Sequence, residues 1–173
     1  MTAAGMERTV MKNPPLFSGE QIYGLIPQRP PVVMVDSLFS CDAGGAETGL
    51  TVLPDNIFVE NSYLAEPGLV EHVAQSAAAY AGYGAFIEGC PPKLGYIAEV
   101  RKFVISRLPA VGEHLRTRLM VLGSAAGMSL FSAEIFICSG DCRLPDSPED
   151  RRMPDAAAAE MAASGQLKIF IKE

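Results

Sequence analysis

Histidine is almost missing from this 173-residue chain: there are two, His72 and His114, and none between residues 1 and 71. The four cysteines, Cys41, Cys90, Cys138 and Cys142, form no C-x-x-C pair. A zinc site therefore lacks both the spacing and the imidazoles it needs, and no metal and no cofactor are expected. Free thiols are expected, Cys138 and Cys142 being the pair near enough in sequence to meet. Long hydrophobic runs are lacking too. The uncharged apolar stretch Ser76–Ile87 is rich in Ala and Gly and falls short of the ~20 apolar residues that cross a bilayer. The first residues, MTAAGMERTVMKNPP, contain no apolar core of signal-peptide length. The expectation is a cytoplasmic protein with no membrane span. A net basic charge is also absent: 14 Lys and Arg against 20 Asp and Glu give −6. That balance speaks against nucleic-acid binding, which is driven by a basic surface.

What is present is the composition of a globular domain, 49% apolar and 20% charged, with a length suited to one core. The charge is uneven. Lys93, Arg101, Lys102, Arg107, Arg116 and Arg118 face only Glu99 and Glu113 within residues 93–118, a local +4. Such a segment is either a solvated strand face or a docking site for an acidic or phosphorylated partner.

Ser18–Ile26 reads as a short helix with Ser18 as cap and Ile22, Leu25 and Ile26 on one face, ended by Pro27-Gln28-Arg29-Pro30-Pro31. Val32–Phe39 and Ala46–Leu53 read as strands, and Asp55–Tyr63 as a loop. From Pro67 to Gly89 runs a helix with almost no charge after His72. Too short to span a membrane, it is expected to be wrapped by the protein's own core. Beyond Cys90-Pro91-Pro92 the chain reads as strand: Leu94–Val100, Lys102–Ser106, His114–Leu122, Met128–Cys138 and Gln166–Lys172. Residues 139–164, acidic and Pro-rich, read as an inserted loop in one domain whose core is about 18–138 and 165–173.

One long helix inside a curved antiparallel sheet is the plan of the hotdog fold, an α+β architecture. Leu25-Ile26-Pro27-Gln28-Arg29-Pro30-Pro31-Val32-Val33-Met34-Val35-Asp36 resembles the L-L-P-H-R-x-P-hydrophobic-L-V-D opening of β-hydroxyacyl-acyl-carrier-protein dehydratases. Pro67-Gly68 followed by Glu71-His72-Val73-Ala74-Gln75 resembles the P-G…E-x-x-A-Q start of that family's central helix, and Val111-Gly112-Glu113 its P-G-D/E turn. The likeness spans roughly residues 20–138 and 166–172, with the dehydratase-like proteins of aryl-polyene and flexirubin clusters as the nearest kin.

The resemblance implies a chemistry. Dehydrating a 3-hydroxyacyl thioester needs a base for the C2 proton, an acid for the leaving hydroxyl, and donors for the thioester oxygen. Glu71 matches the helix carboxylate, with Gln75 one turn on along the same face. Gly68 matches the carbonyl-polarising glycine. Glu71 alternatively serves a structural network, and Gly68 alternatively only a tight turn. The family's loop histidine is replaced: Phe58-Val59-Glu60-Asn61-Ser62-Tyr63 stands where G-H-F-P is usual. Glu60, with Asn61 beside it, is then the candidate second proton-transfer group, or else a solvated loop residue. His72 points about 100° away from Glu71 on a helix and reads as a core histidine bonded to backbone. Tyr96 is the candidate gate of the acyl tunnel, and Arg101, Lys102 and Arg107 the candidate docking residues for an acyl carrier protein. The implied partners are an acyl carrier protein or CoA thioester and a second hotdog subunit, identical or different. A non-catalytic acyl-binding subunit and an acyl thioesterase are the alternatives to a dehydratase.

Overall fold

The computed structural model describes residues 14–139, 144 and 159–172. Its elements are β1 (Phe17–Ser18), a 3-10 helix (Gly19–Gly24), β2 (Ser37–Asp42), β3 (Gly45–Thr51), β4 (Val59–Glu60), β5 (Tyr63–Leu64), α1 (Glu66–Ile87), β6 (Gly95–Ile105), β7 (His114–Ala125), β8 (Met128–Cys138) and β9 (Ala159–Ile171). Seven strands form one antiparallel sheet in the order β1-β2-β3-β7-β8-β9-β6, and β4 pairs with β5 as a separate hairpin. Alternation decides which face of the sheet is inside. Leu115, Thr117 and Leu119 of β7 and Phe131, Ala133, Ile135 and Ile137 of β8 are all buried. Against them pack Leu69, Val73 and Ala77 of α1, together with Leu167 and Ile169 of β9. A second cluster joins Ile22, Leu25 and Ile26 to Val35, Leu38, Ala46 and Ala79. The expected helix inside a sheet is thus present.

Gly82 allows the closest approach at any glycine among the described residues. A Cβ there would stand 1.7 Å from the Leu25 carbonyl oxygen, so only glycine lets α1 lie against the segment that follows the 3-10 helix.

Several element bounds differ from expectation, each for a physical reason. The strand expected from Val32 begins only at Ser37, as β2, because α1 side chains have taken the backbone groups of Val32 and Met34. Leu94–Val100 and Lys102–Ser106 are one strand, β6, bulged where Lys102 adopts a φ of 48°. The loop expected at 55–63 contains the β4–β5 hairpin, whose turn residues Asn61 and Ser62 both have positive φ. The last strand starts at Ala159 rather than Gln166, because Ala162 and Ala163 are buried in the sheet despite their modest strand propensity. Most of the expected insert, 139–164, lies outside the described residues. Cys138 is disulfide-bonded, which corrects the expectation of free thiols there, while Cys41 and Cys90 are free. Cys142 lies outside the described residues. Among the described residues, no helix is long and apolar enough to cross a membrane.

Candidate active site

α1 presents two unlike faces. On one, His72, Val73, Gln75, Ser76 and Ala79 are buried. On the other, Glu71, Ala74, Ala78 and Ala81 remain half-exposed at the three- and four-residue spacing of a single stripe. That stripe floors a cleft of about 240 Å³, whose other walls include Gln28, Lys93, Tyr96, Ile97, Phe131 and Ile169. Its lining is apolar apart from Gln28, Glu71, Lys93 and Tyr96.

The carboxylate is held by the buried face. Gln75 Oε1 accepts the Met34 N–H at 2.6 Å, and Gln75 Nε2 donates to Val32 O at 2.6 Å and to Glu71 Oε1 at 2.8 Å. One amide therefore ties the loop before β2 to the helix and fixes Glu71 against the cleft wall. His72 Nδ1 lies 2.6 Å from Met34 O, and its Nε2 2.8 Å from Thr117 Oγ1. A carbonyl only accepts, so Nδ1 carries the proton and Nε2 accepts from the threonine hydroxyl. Burial holds the His72 pKa below its ordinary value, outweighing the Met34 bond and the nearby Asp36, and keeps the ring neutral. Ser76 Oγ donates to His72 O at 2.8 Å and stands 2.7 Å from Thr48 Oγ1. Both imidazole nitrogens are spent in this network, so His72 is a core histidine.

The other sequence candidates separate. Glu71, Gln75 and Tyr96 come together, with Glu71 and Tyr96 lining the cleft and Gln75 behind Glu71. Glu60 and Asn61 do not join them. Glu60 is exposed on β4 and Asn61 is in the hairpin turn, and neither lines the cleft. Gly68 is buried and its N–H donates to Ala65 O at 2.9 Å. A Cβ there would meet Phe58 and Leu64 within 3 Å, so close packing is what this glycine provides. Arg107 is gripped by Glu113 at 2.8 Å and Glu160 at 2.8 Å. Arg101 pairs with Glu99, which also holds Lys168. Those two cations hold the exposed Glu99 carboxyl down at about 2. Lys102 is exposed at the bulge. Arg116 pairs with Glu47 of β3 and Arg118 with Glu134 of β8, so four cations of the basic segment are held in ion pairs.

Two cleft residues were not among the sequence candidates. Gln28 occupies the position of the histidine in the L-L-P-H-R-x-P motif, and its Oε1 is buried with no hydrogen-bond partner among the described residues. Lys93 opens the basic segment just after the two prolines and lines the cleft. The motif departure at Gln28 and the basic cluster around Lys93 were the available signals.

Comparison with known proteins agrees with this architecture. A protein-family model described as ApeP-like, ApeP dehydratase, matches residues 20–171. No curated protein matches the chain. Among solved structures, the dehydratase heterocomplex ApeI:P from Xenorhabdus doucetiae superposes with a TM-score of 0.71 at 15% identity, covering 88% of this chain and 91% of that one. The conserved protein PA5202 from Pseudomonas aeruginosa gives 0.54 at 16% identity, with coverage of 87% and 98%. A hypothetical thioesterase from Streptococcus pneumoniae TIGR4, solved with coenzyme A, gives 0.52 at 8% identity, with coverage of 79% and 84%. The fold is the hotdog.

Proposed function

Because the chain belongs to the ApeP-like dehydratase family, we propose that its cleft takes a 3-hydroxyacyl thioester and that Glu71 moves the proton in its dehydration. The observation that carries this reading is a single oriented carboxylate at one end of an otherwise largely apolar cleft. In the reaction the C2 proton is removed, the C3–O bond breaks, and the hydroxyl leaves as water after taking a proton. Among the described residues, Glu71 is the one carboxylate lining the cleft. Gln75 supports the role, because its donated hydrogen bond fixes one carboxylate oxygen and leaves the other to the substrate.

Dehydration uses two proton transfers, and no imidazole lines the cleft of this chain. That supports pairing with a second hotdog subunit, identical or different, whose groups complete the site. β6 is the outer strand of the sheet, and Tyr96, Ile97, Val100 and Val104 on it are exposed. An apolar unpaired edge of this kind is a template for pairing with another chain. The lone carboxylate also favours a second reading, an acyl-binding subunit that does no chemistry itself. Incubating the purified protein with 3-hydroxyacyl thioesters separates the readings. Enoyl product supports the dehydratase, binding without turnover the acyl-holding subunit, and release of free thiol a thioesterase.

A further inference from the structure

The two unassigned polar residues of the cleft stand in a definite order along α1. The Leu25 carbonyl abuts Gly82, and the Val32 carbonyl accepts from Gln75. Residues 25–32 therefore run beside the helix against its direction, with Gln28 between those two anchor points. The cleft stripe from Glu71 to Ala81 rises about 15 Å at ~1.5 Å per residue. Lys93, which follows the helix, lines this cleft and also a groove formed by Ser124–Ser129 and Ile171. The polar groups thus run from the Glu71 carboxylate, past the Gln28 amide, to an exposed ammonium where cleft and groove meet. Among the described residues, no ion pair engages Lys93. A buried acceptor with no protein partner costs stability, and a bound donor relieves that cost.

We infer that Gln28 and Lys93 recognise the arm of a phosphopantetheine thioester, Gln28 taking an amide N–H along the arm and Lys93 the phosphate at its outer end. The assignment rests on the thioester reading above and adds the direction in which the substrate lies. The acyl thioester is at Glu71, the amides pass Gln28, and the phosphate reaches Lys93. The same order of carboxylate, amide acceptor and cation along one cleft matches the order of thioester, amides and phosphate along that arm. The phosphate contact is electrostatic and exposed, so it weakens with salt, whereas the amide contact does not depend on charge.

Binding of a 3-hydroxyacyl-4′-phosphopantetheine thioester and its dephosphorylated counterpart, compared on wild type, Lys93→Gln and Gln28→Met, tests the assignment. Wild type should hold the phosphorylated form about fivefold more tightly at low salt, and the preference should shrink as salt is added. Lys93→Gln should abolish the preference and leave the dephosphorylated form's affinity unchanged. Gln28→Met should weaken both forms by about fivefold. It should also raise Tm by about 2–4 °C, since it removes an unsatisfied buried acceptor; a purely structural glutamine would lower Tm instead. Loading the same chain on CoA and on an acidic carrier protein separates the two natural carriers, and the Lys93→Gln loss is expected in whichever binds. Equal binding of both forms by wild type, a preference that survives Lys93→Gln, or affinities unmoved by Gln28→Met would each overturn the assignment while leaving the thioester reading intact. Failure of wild type to bind either form would overturn that reading as well.

Discussion

The two faces of α1 are built to opposite standards. On the inner face each polar side chain is saturated: Gln75 makes three hydrogen bonds, His72 spends both ring nitrogens, and Ser76 meets both a carbonyl and Thr48. On the cleft face a carboxylate and three alanines are left half-covered, and the Gln28 amide that faces them across the cleft keeps a buried oxygen without a hydrogen-bond partner among the described residues. Neighbouring residues 71 and 72 belong to the two sides. A fully satisfied polar network fixes where a helix sits, and an unfinished one leaves chemistry for a ligand. Position along the sequence does not separate structural from functional polar groups here; the direction of each around the helix axis does.

If the inner face is the structural one, its substitutions should dominate stability. The largest effect is expected from Gly82→Val, whose side chain collides with the Leu25 backbone. It should cost ~3 kcal/mol or more, read as loss of a cooperative melt or a sharply lowered denaturant midpoint. Next comes Gln75→Leu, which orphans the buried Met34 N–H and removes the donor to the part-buried Val32 carbonyl, and should cost about 2–3 kcal/mol. A smaller effect concerns pH. His72 is held neutral, with a pKa below its unfolded value, so the unfolded chain takes up a proton that the folded chain refuses. Its contribution is complete above about pH 6.5 and is lost as pH falls below that value, with a slope approaching 1.4 kcal/mol per pH unit, roughly one proton. Melts between pH 8 and pH 5 should show that slope in wild type and a flatter one in His72→Gln. The smallest effect belongs to the cleft face. Ala78→Ser should change stability by less than ~0.5 kcal/mol, and a drop as large as that of Gln75→Leu would erase the distinction between the faces.

The central helix was legible because its uncharged run was too short for a membrane and too apolar for a surface. The contact between Glu71 and Gln75 was legible because a four-residue spacing brings two helix side chains within reach, although only Glu71 of the pair lines the cleft. His72 was readable as a core histidine for the complementary reason. Less could be read where tertiary partners override local pattern. Val32–Met34 has strand composition, yet its backbone groups are claimed by side chains some forty positions away. Glu60 and Asn61 filled the place of a missing motif histidine, but an Asn-Ser turn with positive φ folds that place back as a surface hairpin. Arg107 looked available in a basic segment, and its acidic partner Glu160 lies on the neighbouring strand β9, in a stretch that reads as loop. Gln28 showed only as a departure from a motif, since an unpartnered buried atom is a property of the packed structure.

The most direct test of the division between faces is Glu71→Gln, measured at once for turnover and for stability. The substitution keeps the shape and an oxygen that can still accept from Gln75 Nε2 while removing the proton-transferring group. With a 3-hydroxyacyl thioester, and with the paired subunit present if one is required, enoyl formation should fall by ~10²–10⁴. The melting midpoint should meanwhile stay within a few degrees of wild type, about 1 kcal/mol. Undiminished turnover, or a collapse in stability matching that of Gln75→Leu, would show that Glu71 belongs to the structural face after all.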